Sequence, residues 1–324
     1  PRGKRFAGFS GVNVPLIVHI PEKWKHLRPS EYKAGEKSDR LVGFVDFGAT
    51  MLALAGLEPV PFHQGHAFLG KTPGDAPKYS HVFRGRMDER PDCSRSVIDG
   101  RYIYIRNFMP HLPHGQWLNY QMQTQTTQAW YKLFKAGKLN DVQAAFWKPR
   151  APEELYDLEK DPHETVNLAA SEEHAGTLAE LRTALATQLA KNDALALLPE
   201  GLFHVRAEKL KLTPGDLARD REHYPVAEIL PAANLLLDPE LTAEKITKFL
   251  RSEEPANRYW AALSCLHLGE HATHQLAPEL VKLLADPSVA VQIAAGHVLA
   301  TYPVDEAMRD KATAVLVTNA DPTK

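Results

Sequence analysis

Gly11-Val12-Asn13-Val14-Pro15-Leu16-Ile17-Val18-His19-Ile20-Pro21 is the stretch on which the fold class of this 324-residue chain turns. Val12, Val14, Leu16, Ile17, Val18 and Ile20 form a short apolar run closed by Gly11 and Pro21. A run with no polar alternation reads as a strand covered on both faces, as in parallel or mixed sheets, and places the chain in the α/β class. Immediately before it, Gly3-Lys4-Arg5-Phe6 sets a lysine on a glycine turn. Loops at the strand ends of open α/β sheets tend to carry site residues. An ammonium held there suits an oxygen on which negative charge develops. Taken alone, these residues also fit a second reading, in which Lys4 and Arg5 are two solvated charges.

Composition narrows the field. With 44% hydrophobic residues, the chain has enough apolar material for about two cored domains. A net charge of −2 excludes nucleic acid or an anionic membrane as a bulk electrostatic partner. No apolar run approaches the roughly 20 residues of a membrane-spanning helix. Cys93 lies in a polar stretch and Cys265 in an apolar helical one, and the two show neither metal-binding nor redox spacing. The chain has no initiator Met and no lead-in element before Lys4, so it reads as the later part of a longer protein, and the lack of a signal peptide is silent on compartment.

Further along, Asp39-Arg40-Leu41-Val42-Gly43-Phe44-Val45-Asp46-Phe47-Gly48-Ala49-Thr50-Met51-Leu52-Ala53-Leu54-Ala55-Gly56 predicts a helix. Gly43 is expected as its N-cap, with Asp46 in the first turn. Val45, Met51, Leu52 and Ala55 are expected on its apolar face, with Gly56 as terminator. Ser94–Arg106 holds two β-rich runs around Asp99-Gly100, a strong hairpin signal. Glu154-Leu155-Tyr156-Asp157-Leu158 predicts another strand, turning at Asp161-Pro162. Leu178, Leu181, Leu185 and Leu189 mark a helix over about 172–191. Residues 199–239 are Pro-interrupted and read as a linker with short helices. Beyond them, the Trp260-Ala261-Ala262 and Ile293-Ala294-Ala295 triplets mark a helical repeat of about 33 residues.

Four of these blocks, in order, resemble type I sulfatases of the alkaline-phosphatase superfamily, over roughly residues 1–200. The lysine turn followed by Val-Pro-Leu-Ile-Val is similar to the family's active-site lysine segment. Val45-Asp46 through Ala55-Gly56, with Gln64-Gly65-His66-Ala67-Phe68-Leu69 after it, is similar to its Val-Asp-x-x-Pro-Thr-x-Leu-x-Leu-Ala-Gly and Gln-Gly-x-Ser-Phe-Leu patterns. The hairpin over Ser94–Arg106, and Glu154-Leu155-Tyr156-Asp157-Leu158 followed by Asp161-Pro162, Glu164 and Asn167-Leu168, are similar to its small C-terminal subdomain. The helical tail resembles HEAT repeats. The flavour is that of the heparan N-sulfatase-like branch.

The resemblance implies the end of a sulfatase α/β catalytic domain over 1–78, a small α+β C-terminal subdomain over 79–198, the linker at 199–239, and HEAT-like repeats over 240–324. It implies a sulfuric ester or N-sulfate hydrolase acting on a sulfated small molecule or glycan, exported to the periplasm or beyond the cell, with a protein contact through the tail. It also implies a formylglycine nucleophile and a calcium ion whose ligands are expected upstream of this chain. No metal ligand is assigned among these residues, and the chain alone is expected to be inactive. Cys93-Ser94-Arg95 lacks the Pro and the Ser-Arg spacing of the nucleophile motif. Where the family commonly has Leu-Tyr-Asp or Glu after the lysine and Arg before Val-Pro, this chain has Ala7-Gly8-Phe9 and Asn13. Lys4 is the expected catalytic cation and Arg5 its competitor. A phosphodiesterase or phosphonate hydrolase of the same superfamily, or a non-catalytic binding protein using the helical tail, are the competing functions.

Substrate contacts are expected from loops of the C-terminal subdomain. Arg84-Gly85-Arg86-Met87-Asp88-Glu89-Arg90 crowds charges beside the hairpin, and Arg86, Asp88, Glu89 and Arg90 are candidates for recognising an anionic sugar. A solvated charge run is the alternative. His111 and His114, flanking Leu112-Pro113, could bond sugar hydroxyls or supply an acid near neutrality, or simply form a surface turn.

Overall fold

A computed structural model describes residues 3–58, 60, 62–71, 73–86, 89–191 and 195–320. The elements run α1 (Phe9–Val12), α2 (Val45–Leu54), β1 (Ser80–Arg84), β2 (Ser94–Ile98), β3 (Tyr102–Asn107), α3 (Asn119–Met122), α4 (Gln125–Lys135), α5 (Asp141–Ala145), β4 (Glu153–Asp157) and α6 (Ala175–Lys191). Then follow α7 (Glu200–Leu210), α8 (Pro214–Arg219), α9 (Val226–Ala233), α10 (Ala243–Leu250), α11 (Pro255–Leu268), α12 (Glu270–Leu283), α13 (Val289–Thr301) and α14 (Glu306–Asn319). They form two units. Unit one is Pro1–Arg84, Ser94–Arg106 and Glu154–Leu185; unit two is Gly85–Cys93, Asn107–Glu153 and Ala186–Lys324.

Unit one is built on a sheet of order β1-β2-β3-β4. β1 and β2 are antiparallel, with Ser80 opposite Ile98 and Arg84 opposite Ser94. The β2–β3 hairpin closes as its sequence predicts. Gly100 takes φ +104°, and the Asp99 carboxylate accepts from the backbone N–H of Arg101 (2.9 Å) and Tyr102 (2.7 Å). β4 returns along β3, the Leu158 N–H donating to the Arg101 carbonyl and the Asn107 N–H to that of Pro152. Ile98, Ile103, Ile105, Tyr156 and Leu158 make the core, with Phe9, Val12 and Val82 packed on it. Leu178, Leu181 and Leu185 are buried along α6, the stripe read from their spacing.

The deciding stretch is not a strand. Val12 ends α1, residues 13–20 have no regular structure, and Val14, Leu16 and Ile17 face water, Ile17 at 92% exposure. An apolar run states that both faces favour burial, not what buries them, and no described strand lies beside this one. Ile20 alone is tucked in, its carbonyl accepting from the Arg28 guanidinium at 2.7 Å.

The helix of the second block forms, but its face differs from expectation. Val45 and Met51 are exposed, and Ala49 and Thr50 are the buried positions. Phe44, not Gly43, is the N-cap. Asp46 instead accepts from the Gly43 N–H at 2.8 Å with one oxygen and from the His66 N–H at 2.9 Å with the other. Thr50 Oγ1 donates to the Asp46 carbonyl and accepts from the Phe68 N–H at 3.1 Å. Two polar side chains thus pin the Gln64–Leu69 segment across the helix, and this pinning sets the buried face ahead of hydrophobic spacing. Gly56, at φ +75°, terminates the helix as read.

Unit two holds α3, α4 and α5 and the helices from α7 onward. In the stretch 199–239, α7, α8 and α9 bury Leu202, Phe203, Leu217 and Ile229. α11 packs against α9, α10, α12 and α13, and α13 against α14. Its small buried residues Ala256, Ala261 and Ala262 let neighbours approach closely. Trp260 donates its indole N–H to the Leu197 carbonyl at 2.8 Å. Both alanine triplet pairs are buried, while Ile293, expected inside, is 40% exposed. Cys93 and Cys265 are buried and not disulfide-bonded, and burial raises the pKa of Cys265 to about 12.

Candidate functional site

Lys4 belongs to unit one, exposed on a turn closed by the Phe6 N–H to the Gly3 carbonyl at 3.1 Å. Arg5 adopts φ +86°, an uncommon conformation for a residue with a side chain, so the turn must be held from outside. The Arg84 guanidinium does this: it donates to the Arg5 carbonyl at 2.8 Å and lies over the Phe6 ring at 4.8 Å. Ser96 Oγ donates to the Ala7 carbonyl, and the Phe9 N–H donates to Glu164 at 3.0 Å. A Cβ on Gly8 would meet the Glu164 carboxylate at 2.8 Å, so a larger residue there would push that side chain aside. Burial raises the Glu164 pKa above the usual carboxylate value. The sheet and the 161–165 turn therefore fix the backbone beneath Lys4 and leave its ammonium in solvent.

The remaining candidates fall in unit two, except that Asp88 lies outside the described residues. Arg86, Glu89 and Arg90 line one cavity of about 330 Å³ together with Asp92, Cys93 and Tyr259. The Arg86 guanidinium lies over Phe203 at 4.9 Å and pairs with Glu200 at 3.5 Å. Glu89 accepts the Asn119 N–H, and Arg90 donates from Nε to the Trp117 carbonyl at 2.8 Å. The charge run is therefore tied to neighbouring segments and not merely solvated. Arg90 also borders a second cavity of about 460 Å³, walled by aromatic rings.

His111 and His114 line neither cavity. His114 stacks on Phe146, centroids 6.3 Å apart. His111 is half-buried with its ring 6.2 Å from that of His297, and its buried Nδ1 has no hydrogen-bond partner among the described residues. Burial is the largest cause that lowers His111 to about 4, with His297, Arg150 and His267 adding to it and Asp92 opposing. A histidine kept neutral in this way does not supply an acid near pH 7. Because the unfolded side chain titrates near pH ~6.5, its neutral burial stabilises the fold above that pH. That contribution is lost as pH falls from ~6.5 toward 4. A His111→Leu variant is expected to show a flatter dependence of the urea midpoint on pH between 7 and 5 than the parent. An unchanged slope would clear His111 of the effect.

Sequence reasoning missed the clamp behind this loop. Arg150 and Asp92 are both buried and form a two-pronged pair, at 2.7 and 3.1 Å. The same guanidinium donates to the carbonyls of Leu112 (2.8 Å) and Met109 (2.9 Å), so it holds the His111–Gln116 loop in place. Also missed were the rings of the larger cavity, Trp117, Tyr131, Phe134 and Trp147. The crowding of aromatic residues over 117–147 was the available signal. Among the described residues no group of three or more His, Cys, Asp or Glu could hold a metal ion. The described residues offer no donor set for the calcium that the resemblance implies. No described helix is long and apolar enough to cross a membrane.

No family model matches the chain. An ulvan-active sulfatase of Formosa agariphila is 37% identical over 202 residues, covering 62% of this chain and 32% of that protein. Another ulvan-active sulfatase of the same organism is 28% identical over 170 residues, 51% of this chain and 30% of that one. The chain thus spans about a third of the length of the curated relatives it matches. Among solved structures, a 2-O GAG sulfatase covers 48% of this chain and 27% of its own at 21% identity and TM-score 0.32. A protein solved with its substrate D-glucosamine-2-N,6-O-disulfate covers 44% and 23% at 21% identity and TM-score 0.28. Likenesses that weak add nothing to the comparison of sequences. Both of these curated proteins, to which the chain is similar over 62% and 51% of its length, are sulfatases.

Proposed function

We propose that the protein carrying this chain hydrolyses sulfate esters or N-sulfates on a glycan, and that these residues form its later part. The observation that carries the reading is the 37% identity over 202 residues with an ulvan-active sulfatase. Lys4 is the catalytic cation in this reading. Its turn is fixed by Arg84, Ser96 and Glu164, so its ammonium needs little reorganisation to meet charge developing on a sulfate or leaving oxygen. The nucleophile and the metal that the resemblance implies belong outside the described residues, so the chain by itself is inactive. Arg86, Glu89 and Arg90 serve substrate recognition from the smaller cavity. The helices α10–α14 make a short HEAT-like array, a reading supported by the buried Ala261-Ala262 and Ala294-Ala295 pairs. Its outer face is the proposed protein contact.

Sulfate release by the full-length protein, measured by ion chromatography over sulfated glycans and an aryl sulfate, tests this. Release from at least one of them is the expected result. Cleavage of an aryl phosphodiester with no sulfate released would instead make the protein a phosphodiesterase of the same superfamily. Inertness to both would leave a binding role for the tail.

A further inference from the structure

We infer that the larger cavity of unit two, about 460 Å³, holds one ring of an anionic saccharide. Its walls come from three short segments: Gln116 and Trp117 from the loop after His114, Tyr131 and Lys135 from α4, and Trp147 from the turn after α5, with Arg90 at the edge. Phe134 lies near-parallel to Trp147, 6.1 Å apart at 28°, while the other lining rings are set at steeper angles and leave an open cradle. Trp117 and Tyr131 are 5.9 Å apart at 78°, and Tyr131 and Trp147 are 5.0 Å apart at 55°. Trp117 remains 49% exposed. An aromatic face left open beside a cavity of this size suits the C–H face of a pyranose, and the volume falls in the usual range for a small-ligand site, about 300–1,000 Å³.

Two further observations point to a ligand. Trp147 is only 8% exposed, yet its buried Nε1 has no hydrogen-bond partner among the described residues. A buried donor left unsatisfied costs about 1–3 kcal/mol, so the N–H is a reserve of hydrogen-bonding capacity within the cavity wall. Gly115 lies so close that a Cβ there would overlap the Trp147 ring and meet Phe146 Cε1 at 2.8 Å, so the loop backbone rests directly on the cradle floor.

Charge selects the class. Of the titratable residues lining the cavity, Arg90 and Lys135 are cations and none is acidic. A neutral apolar ligand would gain nothing from two exposed cations at the rim. A sugar bearing a sulfate or carboxylate gains from both cations and rings. The inference rests on the glycan reading of the substrate and adds to it a saccharide-binding cavity in unit two.

The test is equilibrium binding to the full-length protein, followed by tryptophan fluorescence, with three probes: maltotetraose sulfated at O6, tetragalacturonate and unmodified maltotetraose. At least one anionic probe is expected to bind tenfold or more tighter than the neutral one. Tighter binding of the sulfated probe identifies sulfate as the anion recognised, and tighter binding of the galacturonate identifies carboxylate. Trp117→Ala and Lys135→Ala should each weaken that binding at least tenfold, with the unfolding midpoint of Lys135→Ala near the parent's because Lys135 is exposed. Parent-like affinity in both Trp117→Ala and Lys135→Ala, or equal affinity for the neutral probe, would overturn the assignment. Sulfate release from an aryl sulfate by the parent protein reports on the hydrolase reading separately, so either proposal can fall while the other stands.

Discussion

An Arg150→Met variant is expected to lose about 3–5 kcal/mol of stability, the usual consequence of removing one partner of a buried ion pair. Met fills much of the vacated volume, so the loss would be electrostatic and not a cavity effect. Asp92, fully buried, would keep a carboxylate whose two-pronged partner is gone, and the carbonyls of Met109 and Leu112 would lose a charged donor. Urea midpoints at pH 7 measure the change. A second variant separates this pair from the rest of the network. If Asp92 is also made Leu, the stranded charge disappears and most of the loss should be regained. A single variant within 1 kcal/mol of the parent would show that water reaches the pair and that the clamp is not what holds the loop.

Lys4→Ala should reduce sulfate turnover by the full-length protein at least tenfold. The argument is one of preorganisation. Three contacts from other segments hold the backbone of the turn, and none of them uses the Lys4 side chain. Truncation should therefore leave the fold and its unfolding midpoint unchanged while removing a cation from the reacting oxygens. Loss of a group that acts mainly in the transition state lowers kcat and kcat/KM together, with KM nearly constant. Arg5→Ala is the companion measurement, because Arg5 is the competing cation. A parent-like Lys4→Ala with an impaired Arg5→Ala would move the role by one residue.

The parts of the fold that could be read in advance are those decided locally. Asp99-Gly100 announces its hairpin because the Asp carboxylate bonds N–H groups two and three residues ahead and Gly tolerates positive φ. The leucine stripe of α6 is likewise a matter of spacing. What could not be read depends on residues far apart in the chain. Asp92 and Arg150 are 58 positions apart, and nothing local pairs one charge with the other. The aromatic cradle assembles from Trp117, Tyr131 and Trp147, whose density was visible although their arrangement was not. His111 and His114 looked like solvent-facing polar groups because a Pro-punctuated loop usually is one. The Arg150 anchor instead holds that loop inward, against His297 and Phe146. α14 carries a single buried position, Ala312, too little for an apolar periodicity to register.

The ribbon from Val14 to Ile17 has a practical consequence for anyone preparing this polypeptide. Oily side chains on an uncoiled backbone, whose edges no described strand covers, form an adhesive strip. In concentrated or high-salt solution, copies should stick to one another through that strip. Light scattering that rises with added ammonium sulfate, and falls when Ile17 is replaced by lysine, would expose the behaviour.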